Sequence, residues 1–187
     1  MMHYWNASWG LDVDQCPCDV HFLEFLVERE IRGASIFHFG TGSHHIVGLK
    51  TAEDGSGNAV LGITASPEEY DSYVKLAIEQ PAITRSYKAF FGDIYVLDDR
   101  LLPAFDVVTL FHLCEFRTEK NDAYGALTDR DMALLLIDRL RPGGWVLFYK
   151  GSMAFDRAKP VIAELEKLRP LERVADFKTL QIYRLPA

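Results

Sequence analysis

The chain has 187 residues, which is long enough for one domain with a full hydrophobic core. Hydrophobic residues make up 49% and charged residues 25% of it, as is usual for a globular protein in water. The net charge of −7 argues against broad electrostatic binding to nucleic acid or to anionic lipid. No apolar stretch reaches the roughly 18 residues that cross a bilayer. We therefore expect no nucleic-acid partner and no membrane partner.

The predicted elements of the first half alternate between helix and strand. Apolar spacing predicts a helix over residues 20–31, which Gly33 ends, and a short buried strand over residues 36–39. A second strand follows over residues 59–64. Ser66, Pro67 and Glu69 then have the spacing of a helix cap, a first-turn proline and a capping-box acid, which predicts a helix to about residue 80.

The second half continues the alternation. The predicted strands cover residues 87–91, 105–111, 145–150, 171–176 and 180–185. One predicted helix begins near Thr128 and is ended by the sequence RPGG at 141–144, and another runs through VIAELEKL.

This alternation predicts an α/β fold with helices on both faces of a mostly parallel sheet. The last two strands are joined so tightly that they must pair antiparallel, because a parallel crossover needs about a dozen residues or more. We expect one domain over residues 1–187, with a seven-stranded sheet that ends in a C-terminal antiparallel strand. The core would cover residues 20–187, and residues 1–19 would form an N-terminal lid or flap.

The sequence GASIFHFGTGSHHIVGL, at 33–49, contains the loop that bears most on function. Gly40 and Gly42 follow a buried strand, so the backbone can turn sharply there and approach a ligand closely. In a parallel sheet, ligands bind at the carboxyl ends of the strands, where helix N-termini offer free N–H groups. On this feature alone, a tight loop that binds nothing is an equal alternative.

Further landmarks follow that loop in a fixed order. GITASPEEY follows the second strand, FFGD the third, and LRPGGWVLF leads into the fifth. With the terminal strand pair, this order resembles the class I S-adenosylmethionine-dependent methyltransferases over residues 20–185. The resemblance implies a Rossmann-like fold, S-adenosylmethionine as cofactor, and methyl transfer to a small-molecule acceptor.

The resemblance also implies the cofactor-binding residues, which are Gly40, Gly42, Thr64, Asp93, Ile94 and Phe111. In that family the two glycines line the methionine part of the cofactor. The position of Thr64 usually holds an acid that binds the ribose hydroxyls. The acid at the position of Asp93 commonly accepts a hydrogen bond from the adenine amino group.

Three positions depart from the family pattern. His38 stands where an acid often helps to hold the loop and the cofactor's amino group, and His44 replaces a frequent third glycine. Thr64 replaces the ribose acid, so an acid introduced there is expected to strengthen binding. Glu68 or Glu69 could substitute, although the predicted helix start also explains both. These departures motivate a second hypothesis, a catalytically inactive protein of the same fold that binds a ligand or a partner.

His112 and Glu115 follow the fourth strand and are weak candidates for accepting a proton from the acceptor. The alternative is a half-buried strand end, because a sulfonium supplies the reactivity of methyl transfer and positioning alone can suffice. A nicotinamide cofactor is less favoured. Its site usually has glycine at the position of His45 and an acid at the end of the second strand.

The three cysteines are Cys16, Cys18 and Cys114. Such a small odd number, without a secretory signal at the start of the sequence, predicts reduced thiols in a cytoplasmic protein. Cys16, Cys18 and His21 could bind zinc, but zinc cysteines are usually two to four residues apart and no fourth ligand is evident. We therefore expect a turn around Pro17 and no metal.

Overall fold

A computed structural model describes residues 1–187. Its strands form one sheet in the order β3-β2-β1-β4-β5-β7-β6. The strands are β1 (Ser35–Phe39), β2 (Ala59–Thr64), β3 (Tyr87–Phe91), β4 (Phe105–Thr109), β5 (Leu140–Tyr149), β6 (Glu172–Arg173) and β7 (Leu180–Arg184). The helices are α1 (Cys18–Glu28), α2 (Ile46–Glu53), α3 (Pro67–Glu79), α4 (Glu119–Asp122), α5 (Asp129–Ile137) and α6 (Phe155–Leu168).

The sheet confirms the predicted fold class. Strands β1 to β5 pair in parallel, whereas β7 is antiparallel to both of its neighbours, β5 and β6. Helix α1 begins two residues earlier than expected and ends at Glu28. Strand β4 ends at Thr109, two residues earlier than expected.

The sequence RPGG was expected to end a helix, but α5 already ends at Ile137 and residues 141–144 belong to β5. The pairing of β4 with β5 shifts register between Phe105 and Val107, and Gly143 has a φ of +76°. The left-handed glycine permits this irregular start of the strand, because it has no side chain to clash.

Both faces of the sheet are buried. Successive side chains of a strand point to opposite faces, so Phe37 and Val108 pack into the core beneath α5 and α6. Ile36 and Val107 pack into a second core beneath α1, α2 and α3. This explains why the central strands are apolar along their length.

The strand order reverses between β1 and β4, because the chain proceeds outward to β3 on one side and to β5 on the other. The crevice at the carboxyl ends of β1 and β4 is therefore the expected ligand position in such a sheet. None of the helices has the length and apolar character to cross a membrane.

Candidate functional site

A cavity of about 450 Å³ opens at this crevice. Its wall includes Gly40, Ala65 and Gly92, which directly follow β1, β2 and β3, and His112, which lies three residues after the end of β4. The volume lies within the range of small-molecule sites, which is about 300–1,000 Å³. The cavity thus lies beside the glycine loop.

The glycine loop needs both of its glycines. Gly40 and Gly42 have φ angles of +87° and +54°, a region that other residues rarely adopt. A Cβ on Gly40 would lie 3.3 Å from Cδ2 of His112, and one on Gly42 would lie 2.4 Å from Nε2 of His44. The His44 ring therefore lies over Gly42 and contributes to the cavity wall.

The two histidines after the loop have different environments. His45, in a left-handed conformation, precedes α2 and its side chain is buried, with Nδ1 2.8 Å from the hydroxyl of Tyr87. Burial lowers the pKa of His45 to about 4, so the ring is neutral. His45 is thus a core residue, whereas His44 faces the cavity.

Asp19 supplies a carboxylate beside the loop. It lies in the first turn of α1, is 7% exposed, and lines the cavity. Its oxygens lie 3.6 Å from Nε2 of His38 and 3.7 Å from Nε2 of His44. Burial raises the pKa of Asp19 to about 7 and lowers that of His38 to about 3, so His38 is neutral and the contact is no ion pair.

His38 itself is a buried strand residue. Its Nδ1 pairs with Oγ1 of Thr109 on β4 at 2.8 Å, and its Nε2 has no hydrogen-bond partner. Asp19, which belongs to a different element, thus places a carboxylate next to His38.

Glu69 supplies a second carboxylate, next to Thr64. The Thr64 hydroxyl donates to Oε2 of Glu69 at 2.6 Å, and the Trp9 N–H donates to Oε1 at 3.2 Å. Glu69 is 3% exposed and lines the cavity, and burial raises its pKa.

The predicted capping box at this helix start is only half formed. Ser66 accepts from the Glu69 N–H at 3.3 Å, as a cap should, but the Ser66 N–H donates to the Thr64 hydroxyl rather than to Glu69. The Glu69 side chain is therefore left to face the cavity, next to the end of β2.

Asp93 follows β3 and caps a short 3₁₀ helix. Its Oδ1 accepts from the Tyr95 N–H at 2.9 Å, and its Oδ2 accepts from Nδ2 of Asn121 at 2.8 Å and from the Tyr124 hydroxyl. Both Asp93 and Ile94 line the cavity. Phe111 does not line it, because its ring packs in the core against Phe22 and His38.

A polar network marks the end of the cavity beyond β4. Nδ1 of His112 lies 3.1 Å from Oε2 of Glu115, whose other oxygen accepts from the Ser152 hydroxyl. Burial lowers the pKa of His112, but the hydrogen bond and negative charge of Glu115 outweigh it, so the net shift is upward. Burial raises the pKa of Glu115, but His112, Ser152 and Arg157 together lower it by more, so the net shift is downward.

Two thiols lie beside this network. Sγ of Cys16 and Sγ of Cys18 are 3.5 Å apart, and both residues line the cavity with His112. His21, the histidine nearest in sequence, lies elsewhere and pairs with the Thr179 hydroxyl through Nδ1 at 2.8 Å.

Residues 1–17, here called the amino-terminal segment, cover part of the cavity. The Trp5 N–H donates to the Ala65 carbonyl at 3.0 Å, and Ser66 donates to the Ala7 carbonyl at 2.6 Å. Trp5 and Trp9 both contact the ring of Phe116 edge to face. The segment thus adds aromatic wall to the site at the ends of β2 and β4.

No protein-family model matches the chain, and no curated protein matches it by sequence. Solved structures do resemble it. The CcbJ methyltransferase of Streptomyces caelestis has a TM-score of 0.63 at 15% identity, over 98% of this chain and 100% of its own. A putative S-adenosylmethionine-dependent methyltransferase of Methanococcus maripaludis has a TM-score of 0.63 at 11% identity, over 91% and 86%. The chain has the fold of the class I S-adenosylmethionine-dependent methyltransferases.

The methyltransferase fold is not restricted to one chemistry. The [4+2]-cyclase SpnF matches with a TM-score of 0.62 at 15% identity, over 100% of this chain and 88% of its own. At such identities the likeness concerns the fold alone. Any reaction that the chain catalyses depends instead on the residues of its cavity.

The cavity combines expected and unexpected residues. Gly40, Gly42, Thr64, Asp93 and Ile94 lie together in its wall, as do His112 and Glu115. Asp19 was not among the residues predicted for the site, and Glu69 was explained better by the helix start than as a substitute for the ribose acid. Each of these acids lies in the first turn of a helix that begins close to the site, which is the available sequence signal for both.

Proposed function

We propose that the chain binds S-adenosylmethionine in this cavity and transfers its methyl group to a small-molecule acceptor. The observation that carries the proposal is the pair of buried carboxylates, Asp19 and Glu69, in the wall of one cavity. They stand beside His38 and Thr64, the two positions that lack the family's acids.

The wall offers a complementary group for each part of the cofactor. Asp19 would accept from the amino group of the methionine part, next to the glycine loop. Glu69 would bind the ribose hydroxyls, because each of its oxygens accepts only one bond within the protein and a carboxylate has about four acceptor sites. Asp93 and Ile94 would contact the adenine ring.

The bound cofactor would supply an electrophilic methyl group on a sulfonium. The chain's own contribution is to position the acceptor and to exclude water, and the aromatic rings of Trp5, Trp9 and Phe116 line the cavity for both purposes. Glu115 orients the His112 ring through Nδ1. This pair would take a proton from a hydroxyl or amine acceptor.

Titration calorimetry of the full chain tests the proposal with three ligands. We expect S-adenosylmethionine and S-adenosylhomocysteine to bind with dissociation constants of about micromolar order, and NAD to show no heat. Asp19→Asn should weaken binding of S-adenosylmethionine more than that of a desamino analogue, since only the former has the amino group.

Absence of binding by both sulfur ligands at millimolar concentration would refute the proposal. Binding of both, without methyl transfer to any of a panel of alcohol, amine and thiol acceptors, would support the inactive relative instead. The position of the His44 ring over Gly42 is the feature that favours this second candidate.

A further inference from the structure

Three side chains of types that ligate metals lie close together at the end of the cavity beyond β4. The thiol sulfurs of Cys16 and Cys18 and a ring nitrogen of His112 all lie within 4.8 Å of one another. Cys16 precedes α1 and Cys18 is its first residue, whereas His112 follows β4, so the tertiary fold assembles the group.

The separation of the sulfurs suits a shared metal ion. Tetrahedral zinc has Zn–S distances of about 2.3 Å, which puts two sulfur ligands a little under 4 Å apart. The sulfurs of Cys16 and Cys18 are 3.5 Å apart. With the His112 ring nitrogen also within 4.8 Å, the three atoms are close to the spacing that one shared ion requires.

The partner of the histidine also fits. Metal-ligating histidines almost always donate their second ring N–H to a carboxylate, a carbonyl or water, which fixes the tautomer. In His112 this position is taken by Glu115, and Glu115 is itself held by Ser152. Nε2 is thereby left with its lone pair.

We propose that Cys16, Cys18 and His112 bind one Zn²⁺ ion, with the fourth coordination position open toward the cavity. On binding, the two thiols become thiolates and release their protons to solvent, so the two negative charges balance the ion. An open fourth position is typical of zinc sites that bind a water molecule or a substrate atom. All three ligands line the cavity, so a hydroxyl, thiol or water there would reach the metal.

The site goes beyond methyl transfer, and it changes the part assigned to His112. In the zinc-bound protein His112 is a ligand. The metal would lower the pKa of a hydroxyl, thiol or water that binds at its open position. Glu115 then acts as the carboxylate that orients the His112 ligand. The zinc site is tested without S-adenosylmethionine, so the test does not rest on the proposed cofactor site.

Cobalt substitution tests the site directly. The full chain is reduced, stripped of metal with a chelator, and titrated with Co²⁺ and then with Zn²⁺ in competition. We expect one equivalent of Co²⁺, with the absorption bands of tetrahedral cobalt and a thiolate-to-cobalt charge-transfer band, all removed by one equivalent of Zn²⁺.

Matched variants identify the ligands. Cys16→Ser and His112→Gln should each weaken metal binding about a hundredfold or more, since losing even an outer-shell partner costs about 10–100-fold. Cys114→Ser and His21→Gln change a cysteine and a histidine outside the group, and both should bind as the unmodified chain does. Circular dichroism checks that each variant is folded.

Two results would overturn the inference. One is a folded, fully reduced chain that shows no charge-transfer band at saturating Co²⁺. The other is binding that persists in folded Cys16→Ser or that disappears in Cys114→Ser. Calorimetry with S-adenosylmethionine on the same samples separates this outcome from failure of the proposed cofactor site.

Discussion

Replacing Glu69 with glutamine removes one negative charge from the cavity wall while keeping the shape of the side chain. The amide oxygen can still accept from the Trp9 N–H, and the Thr64 hydroxyl can turn to accept from the amide NH₂, so both contacts of the protein survive. A hydrogen bond to a charged group is worth about 1.5–3 kcal/mol and a neutral one about 0.5–1.5 kcal/mol. We therefore expect a loss of about 1.4 kcal/mol, or about tenfold weaker binding of S-adenosylmethionine.

Calorimetry measures this change, and the neighbouring Glu68→Gln is the matched control because Glu68 is exposed. The control should bind as the unmodified chain does, and the thermal midpoints of both variants should agree. If Glu69→Gln binds S-adenosylmethionine with unchanged affinity, the ribose does not lie at Glu69, and the assignment of the site around Thr64 is wrong.

Three more predictions concern the stability of the fold and the residue proposed to contact adenine. Between the ordinary His pKa of 6.5 and a pH of about 4, His45 is protonated in the unfolded chain but stays neutral in the folded one. The free energy of unfolding therefore falls as the pH falls through this range. The fall is at most about 3 kcal/mol. Urea titrations at several pH values should show that the free energy of unfolding of His45→Gln changes less with pH than that of the unmodified chain. An equal pH dependence would contradict the assignment of His45 as a buried neutral ring. Gly48→Ala places a Cβ 2.3 Å from a buried tyrosine ring and should cost about 1 kcal/mol or more. A Cβ at Gly10 has nothing within 4 Å, so Gly10→Ala is the control and should unfold at a higher urea concentration than Gly48→Ala. Equal urea midpoints would refute the close packing at Gly48. Asp93→Ala should weaken binding of S-adenosylmethionine about tenfold, whereas Asp98→Ala, which removes an exposed cap of the same kind, should not; equal effects would remove Asp93 from the site.

The sheet and the position of the cavity were predictable because their signals are local. Apolar runs, helix starts and the tight C-terminal turn each depend on a few adjacent residues, and the glycine loop follows directly from the first strand. Asp93 and Ile94 were placed at the cavity for the same reason. Phe111 was not, because β4 ends at Thr109 and the chain turns its ring into the core.

The two buried acids could not be predicted from local patterns. Glu69 has a sufficient local explanation as a capping residue, and only the contact with Thr64 shows that its side chain turns to the cavity. This contact also reverses one expectation. An acid introduced at position 64 would face Glu69 Oε2 at about hydrogen-bond distance, so we now expect repulsion and weaker binding rather than stronger binding.

The third member of the cysteine group could not be predicted, for a related reason. Sequence proximity suggested His21 as the third ligand, and without a fourth ligand no metal was expected. The side chain that meets the thiols is His112, which β4 brings in from the middle of the chain. Spacing along a sequence cannot show such a meeting.

The amino-terminal segment shares one of its anchors with the proposed ribose site. Oε1 of Glu69 accepts from the Trp9 N–H, and the same carboxylate would accept from a ribose. A ribose bound to this carboxylate would change how strongly Oε1 holds the Trp9 N–H, and by linkage the attachment of the segment would change the affinity of the cavity by the same factor. With the proposed ribose site, the first 17 residues would thus regulate the cavity in the energetic sense, even though they lie outside the sheet.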